Sequence, residues 1–113
     1  MSVVSDHRDP IRDLVHQLVT GNFDLLQSDG RAGRVTAKQL AQGITEYGRT
    51  LVDLPEAAWD LAVCYQIDGK PGVFAIDLPL WTREEGRSDL TLQFMLMVTA
   101  NGPRLEIDDL HVL

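Results

Sequence analysis

The chain has one cysteine, Cys64, in 113 residues. A lone thiol excludes an internal disulfide framework and suits a reducing, cytoplasmic setting. Its three histidines, His7, His16 and His111, are too scattered to read as a metal set, so neither a metal nor a cofactor is expected. No apolar run approaches the roughly 20 residues that span a bilayer. The start, Met1 to Asp6, has no basic region followed by an apolar one, so no secretory leader is expected. Basic charge is scarce in the second half. Residues 1–50 hold six of the ten Lys/Arg and six of the seventeen Asp/Glu, which leaves four basic and eleven acidic groups for residues 51–113. The whole net charge of −7 therefore falls on that half. Such a surface repels phosphate, which argues against nucleic acid and against an anionic membrane. It suits a basic protein partner, and solubility is the plainer use of it.

The signatures of common chemistries are also missing. Gly30 and Gly33 lie in a polar stretch, Gln27 to Val35, but their spacing matches no phosphate fingerprint and no Gly-Lys-Ser/Thr follows. No serine sits in a nucleophile elbow. Cys64 lies between Val63 and Tyr65 in an apolar alternation, which predicts a buried, inert thiol. No catalytic residue is assigned on this basis.

What the chain does have is strand periodicity towards its end. Leu90, Leu92, Phe94, Leu96 and Val98 alternate with Thr91, Gln93, Met95, Met97 and Thr99. A period of two sends the first set to a buried face and the second to a mixed face. The mixed face, with Met95 and Met97, suits half-cover or contact with a second chain. Phe74, Ile76, Leu78 and Leu80 form a similar row, with Val73, Ala75, Asp77, Pro79 and Trp81 opposite. Pro79 cannot donate to a ladder and predicts an edge or a bulge. Asn101-Gly102 is a hairpin signal, and Pro103 allows a longer loop. The apolar phase shifts from Leu105 and Ile107 to Leu110 and Val112, which predicts a bulge at Asp108-Asp109. Leu61 to Ile67 reads as a further strand, and Asp68 to Gly72 as the turn after it.

Helical periodicity comes first in the chain. Asp9 reads as an N-cap and Pro10 as the first helical residue, after a frayed lead-in over residues 1–8. Ile11, Leu14, Val15, Leu18 and Val19 form the apolar stripe. Phe23, Leu25 and Leu26 make a short extra turn. Thr36 and Gln39 form a capping box for a second helix with Leu40, Ala41, Ile44 and Tyr47 inward, ended by Gly48. Arg49 to Leu54 reads as a linker, and Pro55 to Trp59 as one helical turn. The fold class is α+β: two N-terminal helices packed on a bent, mainly antiparallel four-stranded sheet, in a single domain over residues 1–113.

Two groups of residues are candidate sites. Asp77 and His111, if they met on a concave face, would make a proton-shuttling dyad; Asp108 and Asp109 lie nearby in sequence but suit the bulge. Trp81, Arg83, Glu84, Glu85 and Arg87 combine an aromatic with alternating charge, the residue types of a recognition loop. The plainer reading pairs those arginines with Glu84, Glu85 or Asp89 and makes the connection self-contained.

Leu80-Trp-Thr-Arg-Glu-Glu-Gly-Arg-Ser-Asp-Leu-Thr-Leu92 and the ending Glu106-Ile-Asp-Asp-Leu-His-Val-Leu113 resemble a family of small bacterial proteins of unknown function. The likeness extends back through Glu46-Tyr-Gly48. It implies no activity, ligand or catalytic residue. The element order also resembles part of a cystatin-like or NTF2-like cone, a likeness of fold alone. The functional expectation is a non-enzymatic interaction protein, homodimeric through its sheet, with an immunity protein against a toxin as one form. The alternative is a pocket protein or small enzyme using Asp77, Tyr65 or His111 between helix and sheet.

Overall fold

The computed structural model describes residues 3–112. Met1 and Ser2, the start of the expected lead-in, and Leu113, the last residue of the tail motif, lie outside the described residues. Four helices come first: α1 (Val3–Asp6), α2 (Arg8–Val19), α3 (Phe23–Ser28) and α4 (Ala37–Tyr47). Strand β1 (Leu51–Val52) and a 3-10 turn (Glu56–Leu61) follow. The remaining strands are β2 (Val63–Gln66), β3 (Val73–Thr82), β4 (Gly86–Thr99) and β5 (Gly102–Val112).

From Val3 onwards the lead-in is helical rather than frayed. It forms α1 and buries Val4. Helix α2 also begins two residues early: Asp9 and Pro10 fall inside its first turn, and the cap position is His7, whose side chain makes no capping bond. Pro10 is still tolerated there, because a first-turn N–H has no helical acceptor. Helix α4 follows its local signals closely. The Thr36 hydroxyl accepts the Gln39 N–H at 3.1 Å, and the Gln39 side-chain oxygen accepts the Thr36 N–H at 2.9 Å. Gly48 ends it with φ +75°, a conformation that favours glycine.

The sheet is antiparallel and has five strands rather than four. Strands β3, β4 and β5 form a meander, while β1 and β2 both pair with the far side of β3, at different ends. The supposed linker hides β1, where Leu51 and Val52 pair with Thr82 and Trp81. Pro79 lies between the stretches of β3 that β1 and β2 cover, and the register shifts just after it. Ile67 donates its N–H to Val73 O across the β2–β3 pair. Counting from that bond, Val73, Ala75, Asp77 and Pro79 aim their backbone groups towards β2. The proline's missing donor thus falls where no strand asks for one.

The expected bulge in β5 is present. Phe94 pairs with Ile107 and Gln93 with Asp109, so Asp108 is the extra residue. The β4–β5 turn differs from the Asn-Gly expectation. Thr99 pairs with Gly102, so the two loop residues are Ala100 and Asn101. Among the described residues only glycines have positive φ, Gly102 included at +107°.

One core joins the two layers. Ile11, Leu14, Val15 and Leu18 of α2, Leu26 and Leu40 meet Ile76, Leu78, Leu80, Leu90, Leu92, Phe94, Leu96, Leu105 and Ile107 of the sheet. Each fully buried Leu, Ile or Phe contributes about 1.5–3 kcal/mol of transfer free energy, so this set dominates the favourable side of folding.

Candidate functional site

With the helices on one face of the sheet, the opposite face is accessible over Val63, Tyr65, Met95 and Met97 and closed at Pro79 and Thr91. The pairing registers define its rows. Tyr65, Ala75, Met95 and Glu106 run across four strands. Val63, Asp77, Gln93 and Asp109 form the next row, and Val73, Met97 and Arg104 another. Val63 and Tyr65 are 46% and 52% exposed, and Met95 and Met97 are half-buried. A hollow of about 190 Å³ lies among Tyr65, Asp77, Gln93, Met95 and Asp108. That is below the roughly 300 Å³ at which small-molecule pockets begin.

Asp77 and His111 both belong to this face and do not meet. Asp77 accepts a hydrogen bond from Gln93 Nε2 at 3.0 Å. His111 pairs in register with Thr91, on the far side of β4 from Asp77. Its Nδ1 is 3.3 Å from Asp109 Oδ2 without the alignment of a hydrogen bond. Asp108, exposed by the bulge, is 3.3 Å from Arg34. The condition for a dyad is therefore not met, and these residues make separate local contacts.

The segment 81–89 is a clasp. Thr50 donates both its backbone N–H and its hydroxyl to Glu84, each at 2.8 Å. These bonds hold the Glu84 carboxyl below its ordinary pKa. Tyr47 donates its hydroxyl to Glu85 at 2.8 Å and accepts the Asp89 N–H at 3.1 Å. Burial first, and the Glu85 carboxylate second, push the Tyr47 phenol above its usual pKa. Thr82 donates to Glu85 and accepts the Glu85 N–H. The clasp fastens the end of α4 to the β3–β4 turn. The pairing expected of Arg83 and Arg87 with Glu84, Glu85 or Asp89 is absent: neither arginine makes an ion pair among the described residues. Both are exposed, and Arg87 sits across from half-buried Trp81.

Cys64 is exposed, contrary to the buried expectation. It pairs with Ile76 on the helix side, but all four residues of β2 are exposed. Partial desolvation still holds its thiol above the ordinary pKa. Among the described residues, no group of three or more His, Cys, Asp and Glu could hold a metal ion. No helix among them is long and apolar enough to cross a membrane.

Two clusters carry no local sequence signal. Arg31 bridges Asp13 at 2.7 Å and Asp29 at 2.8 Å, tying the loop after α3 to α2. Burial raises the Asp29 pKa, but the bonds from Arg31 outweigh it, and both carboxyls end below the ordinary value. Arg8 and Arg12 stand over the ring of buried Trp59, at 5.3 and 5.6 Å from its centroid, and Arg8 also pairs with Glu56.

The family model described as Domain of unknown function (DUF7668) matches residues 15–113. The chain belongs to this family. The DUF7668 match contains the clasp, the outer face of the sheet and the tail that carried the resemblance. It begins inside α2, so Arg8, Arg12 and Asp13 precede it. No curated protein matches the chain, and no solved structure does. The likeness to a cystatin-like or NTF2-like cone thus rests on element order alone.

Proposed function

We propose that this chain is a non-enzymatic protein-interaction module that works through the outer face of its sheet. The observation that carries the reading is the contrast between the two faces. The helix side is filled over most of its area by Leu, Ile and Phe at full burial, and a hollow of about 370 Å³ remains where α4 meets the end of the sheet, among Gly43, Tyr47, Leu110 and His111. The outer side keeps Val63, Tyr65, Met95 and Met97 accessible beside Asp77, Glu106, Asp108 and Asp109. Accessible aromatic and methionine side chains next to carboxylates suit a partner that is basic and partly apolar. Neutralisation of a basic toxin is one concrete form, supported by the net charge of −7. The cytoplasm is the proposed compartment, where the lone Cys64 stays reduced.

The test co-expresses the chain with the products of the genes adjacent to its own and asks which are retained. Retention of a basic product by the native chain, with loss on Met95→Lys/Asp77→Lys, is expected. Retention that the double variant leaves unchanged contradicts the reading, and so does retention of no basic product.

A further inference from the structure

Among the described residues strand β2 has one neighbour in the sheet, β3, and none of them pairs with its other edge. The opposite edge of the sheet is closed at its middle. There Ile107 donates its N–H to the Arg31 carbonyl at 2.7 Å, and Gly33 packs against the Ile107 carbonyl. An open edge offers unpaired backbone groups to another strand. On β2 those groups can be named. Ile67 bonds to β3, so Val63 and Tyr65 do too, and Cys64 and Gln66 point their N–H and C=O outwards.

We propose that two copies of this chain pair antiparallel through β2, about a twofold axis at Tyr65, so that Cys64 of each copy bonds to Gln66 of the other. This deepens the interaction reading above and rests on it. The pairing follows from three observations. First, centring on Tyr65 uses both outward residues of the strand. Centring on Cys64 would require Ala62, whose N–H is already given to Trp59. Second, Asp60 precedes β2, while Lys70 follows it beyond Asp68, and neither Asp60 nor Lys70 has an ion-pair partner among the described residues. An antiparallel pair brings the end that carries Asp60, in the 3-10 turn, beside the partner's end that carries Lys70, in the turn after β2, on both sides of the axis. Third, the strand itself, Val63 to Gln66, is uncharged, so pairing it requires no charge to be desolvated. Tyr65 then faces its own copy in a non-hydrogen-bonded pair, where side chains lie closest and aromatic pairs stabilise a sheet. The two outer faces become continuous.

The register makes position 65 unique, because it is the one residue placed opposite itself. In such a pair the Cα atoms lie about 4.5 Å apart, within disulfide range. At position 63 the two copies stand more than about 13 Å apart along the strand. Two single-thiol chains are compared, Cys64→Ser/Tyr65→Cys and Cys64→Ser/Val63→Cys, under mild oxidation with light scattering alongside. The expected result is a native dimer, with covalent dimer forming at least about tenfold faster for the Tyr65→Cys chain, since its paired thiols react at high effective concentration. Charge reversal gives a second readout in the native strand. Lys70→Asp is expected to weaken the dimer by about three- to tenfold, the scale of exposed ion pairs, and Asp60→Lys/Lys70→Asp to restore it. A dimer without preferential linking at position 65 overturns the edge pairing and leaves the outer-face reading standing. A chain that stays monomeric to hundreds of micromolar overturns the inference, whatever the adjacent-gene test returns.

Discussion

Gly33 lies against the carbonyl oxygen of Ile107, in a left-handed conformation with φ +61°. A Cβ built there would fall inside van der Waals contact with that backbone oxygen. The approach is fixed by the neighbouring bond from Ile107 N–H to Arg31 O, which draws the α3–α4 loop onto β5. Gly33→Ala therefore meets both a strained φ and a backbone clash. It is expected to cost about 2 kcal/mol or more, read as a lower denaturant midpoint at unchanged slope. Gly30→Ala is the control: it shares the positive φ but meets open space, so it should cost about 1 kcal/mol less or better.

The clasp makes a separate prediction. Tyr47→Phe removes the hydroxyl that joins Glu85 to the Asp89 N–H while keeping the ring. A loss of about 1–2 kcal/mol is expected from these bonds. Thermal unfolding of the two chains checks it, and equal midpoints would show that the clasp contributes nothing.

Acid should destabilise the fold through the pairs around Arg31 and through Glu84. Asp13, Asp29 and Glu84 all have folded pKa values below their ordinary ones, 3.8 for aspartate and 4.5 for glutamate. A depressed carboxylate stabilises the fold above its unfolded pKa and loses that stabilisation as pH falls through the folded value. Stability should thus be level near neutrality and decline as pH drops below about 4.5. Asp13→Asn is expected to flatten that decline; an unchanged slope would remove Asp13 from the account.

Adjacent residues of β4 should respond in opposite ways. Phe94 is 1% exposed in the core, and Phe94→Ala is expected to cost about 3–5 kcal/mol. Met95 points to the outer face, and Met95→Ala should cost about 1 kcal/mol or less. Similar losses for both would mean that the outer face is packed after all.

The long strands were legible in the sequence because period-two alternation survives over many residues, as at Leu90, Leu92, Phe94 and Leu96. Short strands were not. Leu51 and Val52 form β1 only because Trp81 and Thr82 are there to pair with them. Alternation also tells which residues share a face but not whether the face is covered, which is why Cys64 was expected inside. The charges at Glu84 and Glu85 set the segment apart in the sequence, but their partners Thr50 and Tyr47 lie 34 and 38 residues away. No local rule links residues so distant. The outer-face rows were half visible: Met95, Met97 and Asp77 stood out from their own strands, while their alignment with Tyr65 needed the registers.

The central claim is that contact with a partner occurs on the outer sheet face and nowhere near the helices. A backbone amide shift map of the isotope-labelled chain, recorded as the basic product retained in the adjacent-gene test is added, tests it most directly. The account predicts perturbations grouped on Val63, Tyr65, Ala75, Asp77, Met95 and Met97. Perturbations grouped along α2, or on the β3–β4 turn around Arg83, would contradict it.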